Sequence, residues 1–185
     1  MADEIKLFEA MATMRAMRRL KPDPVPEAVL WRLIEAATQA PSGGNRQPWR
    51  FVVLRDRDTK EKLGTIFDEL GARMYASLEH TPWRDVPVLV AVCTETGAGA
   101  GGASIYPAVQ NLLTAAHALG LGSVLTTRWK AREAEVRPLL GLPETMEVQA
   151  IVPLGWPDRR YGRGRRLPVR EVTYRERYGV AWPQG

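Results

Sequence analysis

Residues 40–51 read APSGGNRQPWRF, a polar and glycine-rich stretch that separates two apolar segments. Before it, Pro26–Ala40 repeats apolar residues at the three-and-four spacing of one helix face, which predicts a helix. Pro41 ends that helix, because the residue before a proline is pushed out of the α region. After it, Phe51–Leu54 is β-branched and aromatic, which predicts a short buried strand. The stretch is therefore predicted to be a loop held between a helix and a strand.

The residue types in this loop suit a binding loop. Gly43 and Gly44 allow the backbone to approach a flat or anionic group closely. Ser42, Asn45 and Gln47 offer hydrogen-bond donors and acceptors beside main-chain N–H groups. Glycine and proline content alone favours an ordinary helix-to-strand connection, so the order of the residues has to decide.

The composition predicts one ordinary globular domain spanning residues 1–185. The chain has 45% hydrophobic and 25% charged residues and is long enough to bury a core without disulfides. Cys93 is the single cysteine, which excludes an intrachain disulfide. The N-terminus lacks the apolar core and cleavage site of a signal peptide, so a cytoplasmic location is expected.

The net charge of +5 lies entirely in the C-terminal tail, residues 158–185. That tail has eight arginines and three acidic residues, whereas residues 1–157 have 18 basic and 18 acidic side chains. Such a tail is compatible with a solvated loop, an anion-binding segment or a nucleic-acid-binding segment. It lacks the interleaved aromatic residues of a stacking surface, so nucleic-acid binding is kept only as a remote alternative.

The N-terminal segment predicts a helix from Asp3 to Leu20. Acidic residues lie at its start and basic residues at its end, as the helix dipole favours. Three prolines between residues 22 and 26 then force an extended exit. In this interpretation Arg15 and Arg18 only complement the end of a helix.

The 32 residues between Glu95 and Arg128 contain no Asp, Glu, Lys or Arg, which indicates the most buried part of the fold. Glycines and polar residues interrupt this segment, so it is not predicted to span a membrane. Its second half predicts a helix that Gly120 ends, followed by a strand at Ser123–Thr127. His117 on that helix is expected to be a hydrogen-bonded core residue. The other predicted elements are helices at 57–80 and 132–140 and strands at 86–94 and 147–153.

The sequence contains no recognisable catalytic or metal-binding motif. It has no Walker motif, no Gly-x-Ser-x-Gly elbow and no His, Cys and Glu cluster at metal-ligand spacing. The glycines at 99–102 do not form a dinucleotide fingerprint, because their spacing differs and no acidic residue follows at the ribose distance. This absence is consistent with an enzyme whose chemistry is supplied by a cofactor.

The loop motif A-P-S-x-x-N-x-Q-P-W-x-F, leading into a strand, resembles that of the nitroreductase family. Members of this family are flavoproteins whose FMN lies between the two subunits of a dimer. The resemblance implies that four loop residues border the flavin ring: Pro41, Ser42, Gly43 and Asn45.

The N-terminal basic segment carries the same resemblance. Residues 14–20 are similar to the R-R-S-x-R-x-F segment that grips the FMN phosphate, with Arg15 and Arg18 at arginine positions. Met14 and Ala16 depart from that pattern, so two phosphate or ribityl contacts are expected to be missing.

Two segments in the second half of the chain resemble the family as well. Residues 108–123 read AVQNLLTAAHALGLGS and are similar to a helix buried at the family's dimer core. The RLPVREV segment at 166–172 resembles the family's end, where an arginine completes the phosphate site. That arginine is Arg166 by spacing, with Arg165 as the alternative. The strand after the buried helix implies main-chain contacts to the flavin N5 and O4 edge from Leu125, Thr126 and Thr127.

The resemblance implies an α+β, three-layer fold in which helices flank a mixed central sheet, completed as an intertwined homodimer. The basic tail at 158–185 is expected to pack on the partner subunit. The implied activity is that of an FMN-dependent oxidoreductase that takes electrons from NADH or NADPH. It would reduce electron-poor acceptors, such as nitroaromatics or quinones, by ping-pong hydride transfer. The flavin N5 carries that chemistry, so no catalytic side chain and no metal are expected.

Alternatives within the family stay open. They are flavin binding or storage without turnover, flavin fragmentation, and dehalogenation of aromatic rings. The sequence does not choose between NADH and NADPH, and it does not identify the acceptor. Nucleic acid and membranes are not expected as partners.

Overall fold

The computed structural model describes residues 6–71, 79–96, 101–159 and 162–183. The strands are β1 Arg50–Leu54, β2 Val88–Glu95, β3 Gly122–Ser123 and β4 Met146–Gly155. They form one sheet in the order β1-β2-β4-β3, and each pair of neighbouring strands is antiparallel. The helices are α1 Leu7–Thr13, α2 Glu27–Thr38, α3 Arg57–Gly71, α4 Gly101–Ala118, α5 Glu133–Leu139 and α6 Val169–Val172. Short 3-10 turns lie at Gly43–Asn45, Trp83–Asp85 and Arg128–Arg132.

The two central strands are covered on both faces, as their almost continuous apolar sequences predict. Side chains of β2 alternate between two clusters: Val88, Val90 and Val92 pack with α2 and α4. Leu89 and Cys93 instead pack with α3 and α5 on the other face. Helices therefore lie on both sides of one sheet, which confirms the predicted α+β, three-layer class.

The predicted helix at 3–20 is wrong beyond residue 13. After α1, residues 14–20 run along the outer edge of β3, where Met17 N donates to Ser123 O at 2.9 Å. Ala16 and Ser123 form an isolated parallel bridge, whereas the four strands pair only in the antiparallel sense, so the predicted mixed sheet is antiparallel in its regular strands. Tertiary pairing overrides helix propensity here, because the exposed edge of β3 otherwise leaves main-chain groups without partners. Residues before 6 lie outside the described chain.

The predicted strand at Ser123–Thr127 is also broken. β3 stops at Ser123, and the chain rejoins the sheet at Thr126, which forms an isolated antiparallel bridge with Ile151 of β4. Thr126 N donates to Ile151 O at 3.0 Å, and Ile151 N donates to Thr126 O at 3.1 Å. The chain therefore bends at residues 124–125 and continues as a turn rather than as a regular strand.

The remaining predicted elements are confirmed with small changes in their bounds. The helix predicted at 57–80 is present as α3 at 57–71, residues 72–78 lie outside the described chain, and His80 is not helical. The helix predicted at 132–140 is α5 preceded by a 3-10 turn. Within the described ranges, no helix is long and apolar enough to cross a membrane.

His117 is hydrogen-bonded inside the fold, as predicted. It is half-buried on α4, and its Nε2 lies 2.8 Å from Thr13 Oγ1. The Thr13 hydroxyl already donates to Glu9 O at 2.7 Å, so His117 Nε2 has to be the donor to Thr13. This bond ties α1 to α4 and leaves no reason to assign His117 a catalytic role.

Candidate functional site

Two arginines from opposite ends of the chain meet at one glycine. Arg15 is half-buried just after α1, and its Nη1 donates to Gly162 O at 3.4 Å. Arg166 is exposed in the tail, and its Nη1 donates to Arg165 O at 2.9 Å. A Cβ placed on Gly164 would lie 2.6 Å from Arg166 Nη1 and 3.4 Å from Arg15 Nη1. We call Arg15, Gly164 and Arg166 the arginine cradle.

The cradle has the chemistry of a phosphate site. Guanidinium groups are permanently charged and planar, and each can offer two parallel N–H donors to a phosphate. Gathering two such groups costs electrostatic free energy, which a bound anion offsets. Gly164 has no side chain, so the Arg166 guanidinium can lie against its backbone close to Arg15. The residues present therefore fit a phosphate group.

Arg18 and Arg165 lie near the cradle in sequence, but the hydrogen bonds that they make do not involve Arg15 or Gly164. Arg18 is half-buried, and its carbonyl oxygen accepts from Thr81 N at 2.9 Å. In an extended segment, residues 15 and 18 point to opposite faces, because side chains alternate. Arg165 is exposed and contributes its carbonyl oxygen to Arg166. The described contacts bring together Arg15 and Arg166, and the predicted roles of Arg18 and Arg165 stay predictions.

Arg19 is a residue that the sequence analysis missed. Its guanidinium forms ion pairs with Glu79 at 2.8 Å and with Asp158 at 3.0 Å. Asp158 N also donates to Arg19 O at 3.1 Å. These contacts attach the start of the basic tail to the segment that carries Arg15. No local sequence pattern predicts that Arg19 pairs with Glu79 and Asp158, because these partners are far from it in sequence.

The glycine-rich loop holds an unusual backbone conformation. Gly44, Asn45 and Gln47 have positive φ values of 58°, 53° and 50°. Glycine adopts this left-handed backbone conformation readily, whereas for Gln47 the conformation costs roughly 1–2 kcal/mol. Ser42 Oγ accepts from Gln47 N at 3.0 Å, and Asn45 Oδ1 accepts from Gln47 Nε2 at 3.3 Å. Backbone strain of this kind is concentrated at binding and catalytic sites, which supports a binding role for the loop.

The same loop is fixed to the protein at both ends. Gly43 N donates to Ser104 Oγ on α4 at 3.2 Å, and Trp49 is buried in the core. Pro41, Gly43 and Asn45 remain exposed, and Ser42 is half-buried. The predicted ring-bordering residues are therefore accessible on an anchored frame. Ser104 was not foreseen, because a single serine in a charge-free segment carries no signal.

The turn at 125–127 is held by Thr126. Besides its two main-chain bonds to Ile151, its hydroxyl donates to Ile151 O at 2.7 Å. Its carbonyl oxygen also accepts from Trp129 Nε1 at 3.1 Å. The polar groups of Thr126 are thus engaged within the fold, so this residue positions the turn. Leu125 and Thr127 flank it and are half-buried, so their main chain is the part that could contact a flavin edge.

An aromatic group lies directly beyond this turn. The Arg128 guanidinium carbon lies 4.1 Å from the centre of the Phe67 ring, and Arg128 Nη1 donates to Phe67 O at 3.2 Å. Phe67 stacks on Trp83 with ring centres 4.6 Å apart. His80 meets the edge of Phe67 and pairs with Asp68 Oδ1 at 2.9 Å. This group connects the end of α3 to the turn, and sequence periodicity did not foresee it.

The described residues offer no metal cluster and no reactive thiol. Among them, no group of three His, Cys, Asp or Glu residues could hold a metal ion. Cys93 is buried in the sheet, and burial raises the pKa of its thiol to about 12. The thiol therefore stays protonated near neutral pH and is a poor nucleophile.

Comparison with known families places this chain among flavoproteins. The model of the nitroreductase family matches residues 11–156. An NADH dehydrogenase from Thermus thermophilus is 32% identical in an alignment that covers 86% of this chain and 90% of that protein. An iodotyrosine deiodinase from Thermotoga neapolitana is 30% identical in an alignment that covers 82% of this chain and 89% of that protein.

A solved structure has the same fold. It is an oxidized iodotyrosine deiodinase bound to FMN and 3-iodo-L-tyrosine, and it superposes with a TM-score of 0.78 at 26% identity. The match covers 95% of this chain and all of the other chain. The matched family region begins before Arg15 and includes the loop at 40–51 and the turn at 125–127.

Proposed function

This chain belongs to the nitroreductase family, and from that premise we propose that it is an FMN-dependent oxidoreductase. The electron donor is NADH or NADPH, and the acceptor is an electron-poor molecule such as a nitroaromatic or a quinone, reduced in a ping-pong sequence. The observation that carries the proposal is the arginine cradle. Two cations that the resemblance assigned to one phosphate lie beside the same glycine.

The chain's own contribution is to hold the cofactor and to leave its reactive face accessible. Arg15 and Arg166 would hold the FMN phosphate, with Arg18 and Arg165 as further candidates. The turn at 125–127 would meet one edge of the ring, and the loop residues Pro41, Ser42, Gly43 and Asn45 would border its plane. When bound, FMN supplies the hydride-accepting chemistry that no side chain of this protein provides.

We further propose that the working unit is a homodimer. Large apolar side chains are exposed on α1, where Phe8 is 83% exposed, and in the tail, where Tyr178 is 90% exposed. Trp31 on α2 and Trp182 in the tail are exposed as well. Such residues mark association surfaces when they are grouped. The family resemblance predicts that the glycine-rich loop and the phosphate-binding arginines around one flavin come from different subunits.

An absorbance spectrum and a donor titration test this proposal. We expect the purified protein to show the two visible bands of a flavin, or to acquire them when FMN is added, and NADH or NADPH should bleach them. Steady-state turnover with a quinone separates an enzyme from a flavin-storage protein. A protein that takes up no FMN would overturn the proposal.

Dehalogenation is a second candidate, because several relatives carry the name iodotyrosine deiodinase. The solved deiodinase described above, which has the same fold, is bound to both FMN and 3-iodo-L-tyrosine. We therefore propose to reduce the flavin-loaded protein with one equivalent of dithionite, so that none is left to react with the acceptor, and then to compare iodide release from 3-iodo-L-tyrosine with quinone reduction. Iodide release with little quinone turnover would favour dehalogenation. Quinone turnover without iodide release would favour the general oxidoreductase.

A further inference from the structure

A second basic region lies where α3 begins, and it shares no residue with the arginine cradle. It is a pocket of about 270 Å³. Four cationic side chains and one carboxylate line it, together with prolines and valines from the 22–25 and 86–88 segments. The charged residues are Arg55, Arg57, Lys60, Arg84 and Asp85. The volume is several times the ~30 Å³ occupied by one water molecule, so the pocket can hold a small organic molecule.

Lys60 is the buried charge of this pocket. It is only 5% exposed, and its Nζ donates to Val86 O at 2.5 Å. Among the residues that the structure describes, no carboxylate forms an ion pair with this ammonium; Asp85 and Asp56 act on it from a longer range. Burial lowers the pKa of Lys60, and Arg57 lowers it further. An ammonium has three donors, and burying it without an anionic partner is costly.

The three arginines of the pocket have partners that a ligand can replace. Arg57 pairs with Asp85 at 3.1 Å, and Arg55 and Arg84 pair with Glu27 and Glu61 at 2.9 and 3.0 Å. The Glu27 and Glu61 side chains are 79% and 50% exposed, so these pairs lie towards solvent. Exposed ion pairs contribute little free energy, typically ~0–1 kcal/mol.

We propose that this pocket binds the phosphate group of a small phosphorylated molecule, with Lys60 as the buried anchor and the arginines at the rim. A phosphate offers several acceptor oxygens, which can meet the ammonium and guanidinium donors from different directions. The prolines and valines that line the pocket can contact the short carbon chain that carries the phosphate. The site does not depend on the proposed flavin chemistry.

Calorimetric titration of the full-length, FMN-saturated protein in phosphate-free buffer tests the site. Saturating FMN occupies the cradle, so added phosphate reports on other sites. The probes are inorganic phosphate and glycerol phosphate, compared in the wild-type protein, in Lys60→Met and in Lys62→Met. Lys62 is exposed on the same helix and does not line the pocket. We expect one saturable site, a loss of about tenfold or more in affinity for Lys60→Met, and no more than about twofold for Lys62→Met.

Several outcomes would overturn the proposal. They are the absence of saturable binding in the wild-type protein, or equal affinities in Lys60→Met and Lys62→Met. Tighter binding of glycerol phosphate than of inorganic phosphate would support contact between the ligand's organic part and the prolines and valines that line the pocket. Equal affinities would contradict that contact and leave only the phosphate recognition. If Lys60→Met does not fold, Arg84→Gln replaces it, because Arg84 is exposed. It should weaken binding by about threefold to tenfold, and an unchanged affinity contradicts the proposal. Repeating the titration without FMN keeps this result separate from that of the flavin proposal.

Discussion

The sheet interior and the arginine cradle are specified by the sequence in opposite ways. In the interior, each strand and helix carries its own pattern, such as the alternating valines of β2 that pack with α2 and α4. In the cradle, two arginines from opposite ends of the chain meet at Gly164, and no local pattern requires it. Stability should therefore depend on the first region and cofactor affinity on the second. Substitutions in the two regions should separate these properties.

The largest expected effect is on stability, from Leu33→Ala on α2. Leu33 is 1% exposed in the cluster between α2, α4 and the sheet, so truncation leaves a cavity. We expect the free energy of unfolding in urea to fall by about 2–5 kcal/mol. The affinity of the remaining folded protein for FMN should stay within about twofold, since ±0.5 kcal/mol is the usual scatter for distant sites. Glu35→Ala, at an exposed position of the same helix, is the control and should change neither property.

Arg166→Ala should weaken FMN binding and leave the stability of the protein almost unchanged, which is the reverse of the Leu33→Ala result. Loss of one charge-assisted bond to phosphate should weaken FMN binding by about 1.5–3 kcal/mol, measured by quenching of flavin fluorescence. The free energy of unfolding without FMN should hardly change, because Arg166 is exposed. Arg170→Ala, at an exposed position of the same tail, is the control with the same change in charge. Equal losses in both variants would mean that only the overall charge of the tail matters.

Gly164→Ala tests the geometry of the cradle without removing a charge. The new methyl group would lie 2.6 Å from Arg166 Nη1, so the flexible guanidinium has to move away. We expect FMN affinity to fall by about 1–2 kcal/mol, comparable to a misplaced hydrogen bond. Gly162→Ala is the control, because nothing lies within 4 Å of a Cβ at Gly162. If both alanines bind FMN alike, the space at Gly164 has no role in binding.

The smallest expected effect is a gain in stability at the glycine-rich loop. Gln47→Gly relieves a φ of 50°, which should outweigh the flexibility of glycine and raise the free energy of unfolding by about 0.5–1 kcal/mol. Gln47→Ala keeps the strained backbone and loses the side-chain bond to Asn45, so it should give no gain. The measurement is the thermal unfolding of the two variants, compared with that of the wild-type protein. A stabilised Gln47→Ala would show that the side chain, and not the backbone, is unfavourable.

The local pattern of apolar residues correctly predicted the central strands and the main helices. The apolar runs at 88–95 and 146–155 form the central strands, and the periodic apolar residues of α2, α3 and α4 form helices near their predicted bounds. These elements bury faces that their own sequences define. The predictions failed at 14–20 and 123–127, where pairing with distant main chain decides the conformation. Met17 meets Ser123 and Thr126 meets Ile151, and neither partner is near in sequence.

Candidate site residues could be predicted from the sequence only where a family motif covered them. Charge alone gave Arg15 the role of complementing a helix end, and only the resemblance connected it to Arg166. The positive φ of Gln47, the bond from Gly43 to Ser104 and the stacking of Arg128 on Phe67 had no sequence signal. Lys60 was counted within a mixed-charge helix, because burial of a lysine depends on what packs above it. The packing of the tail on a partner subunit stays a prediction.

The central claim is that Arg15 and Arg166 hold one phosphate, and riboflavin tests it most directly because it is FMN without that phosphate. We would measure the dissociation constants of FMN and riboflavin for the wild-type protein and for the Arg15→Ala/Arg166→Ala double variant. The wild-type protein should prefer FMN, and the double variant should lose about 100-fold or more of that preference, with riboflavin affinity little changed. An equal preference for FMN in both proteins would contradict the account.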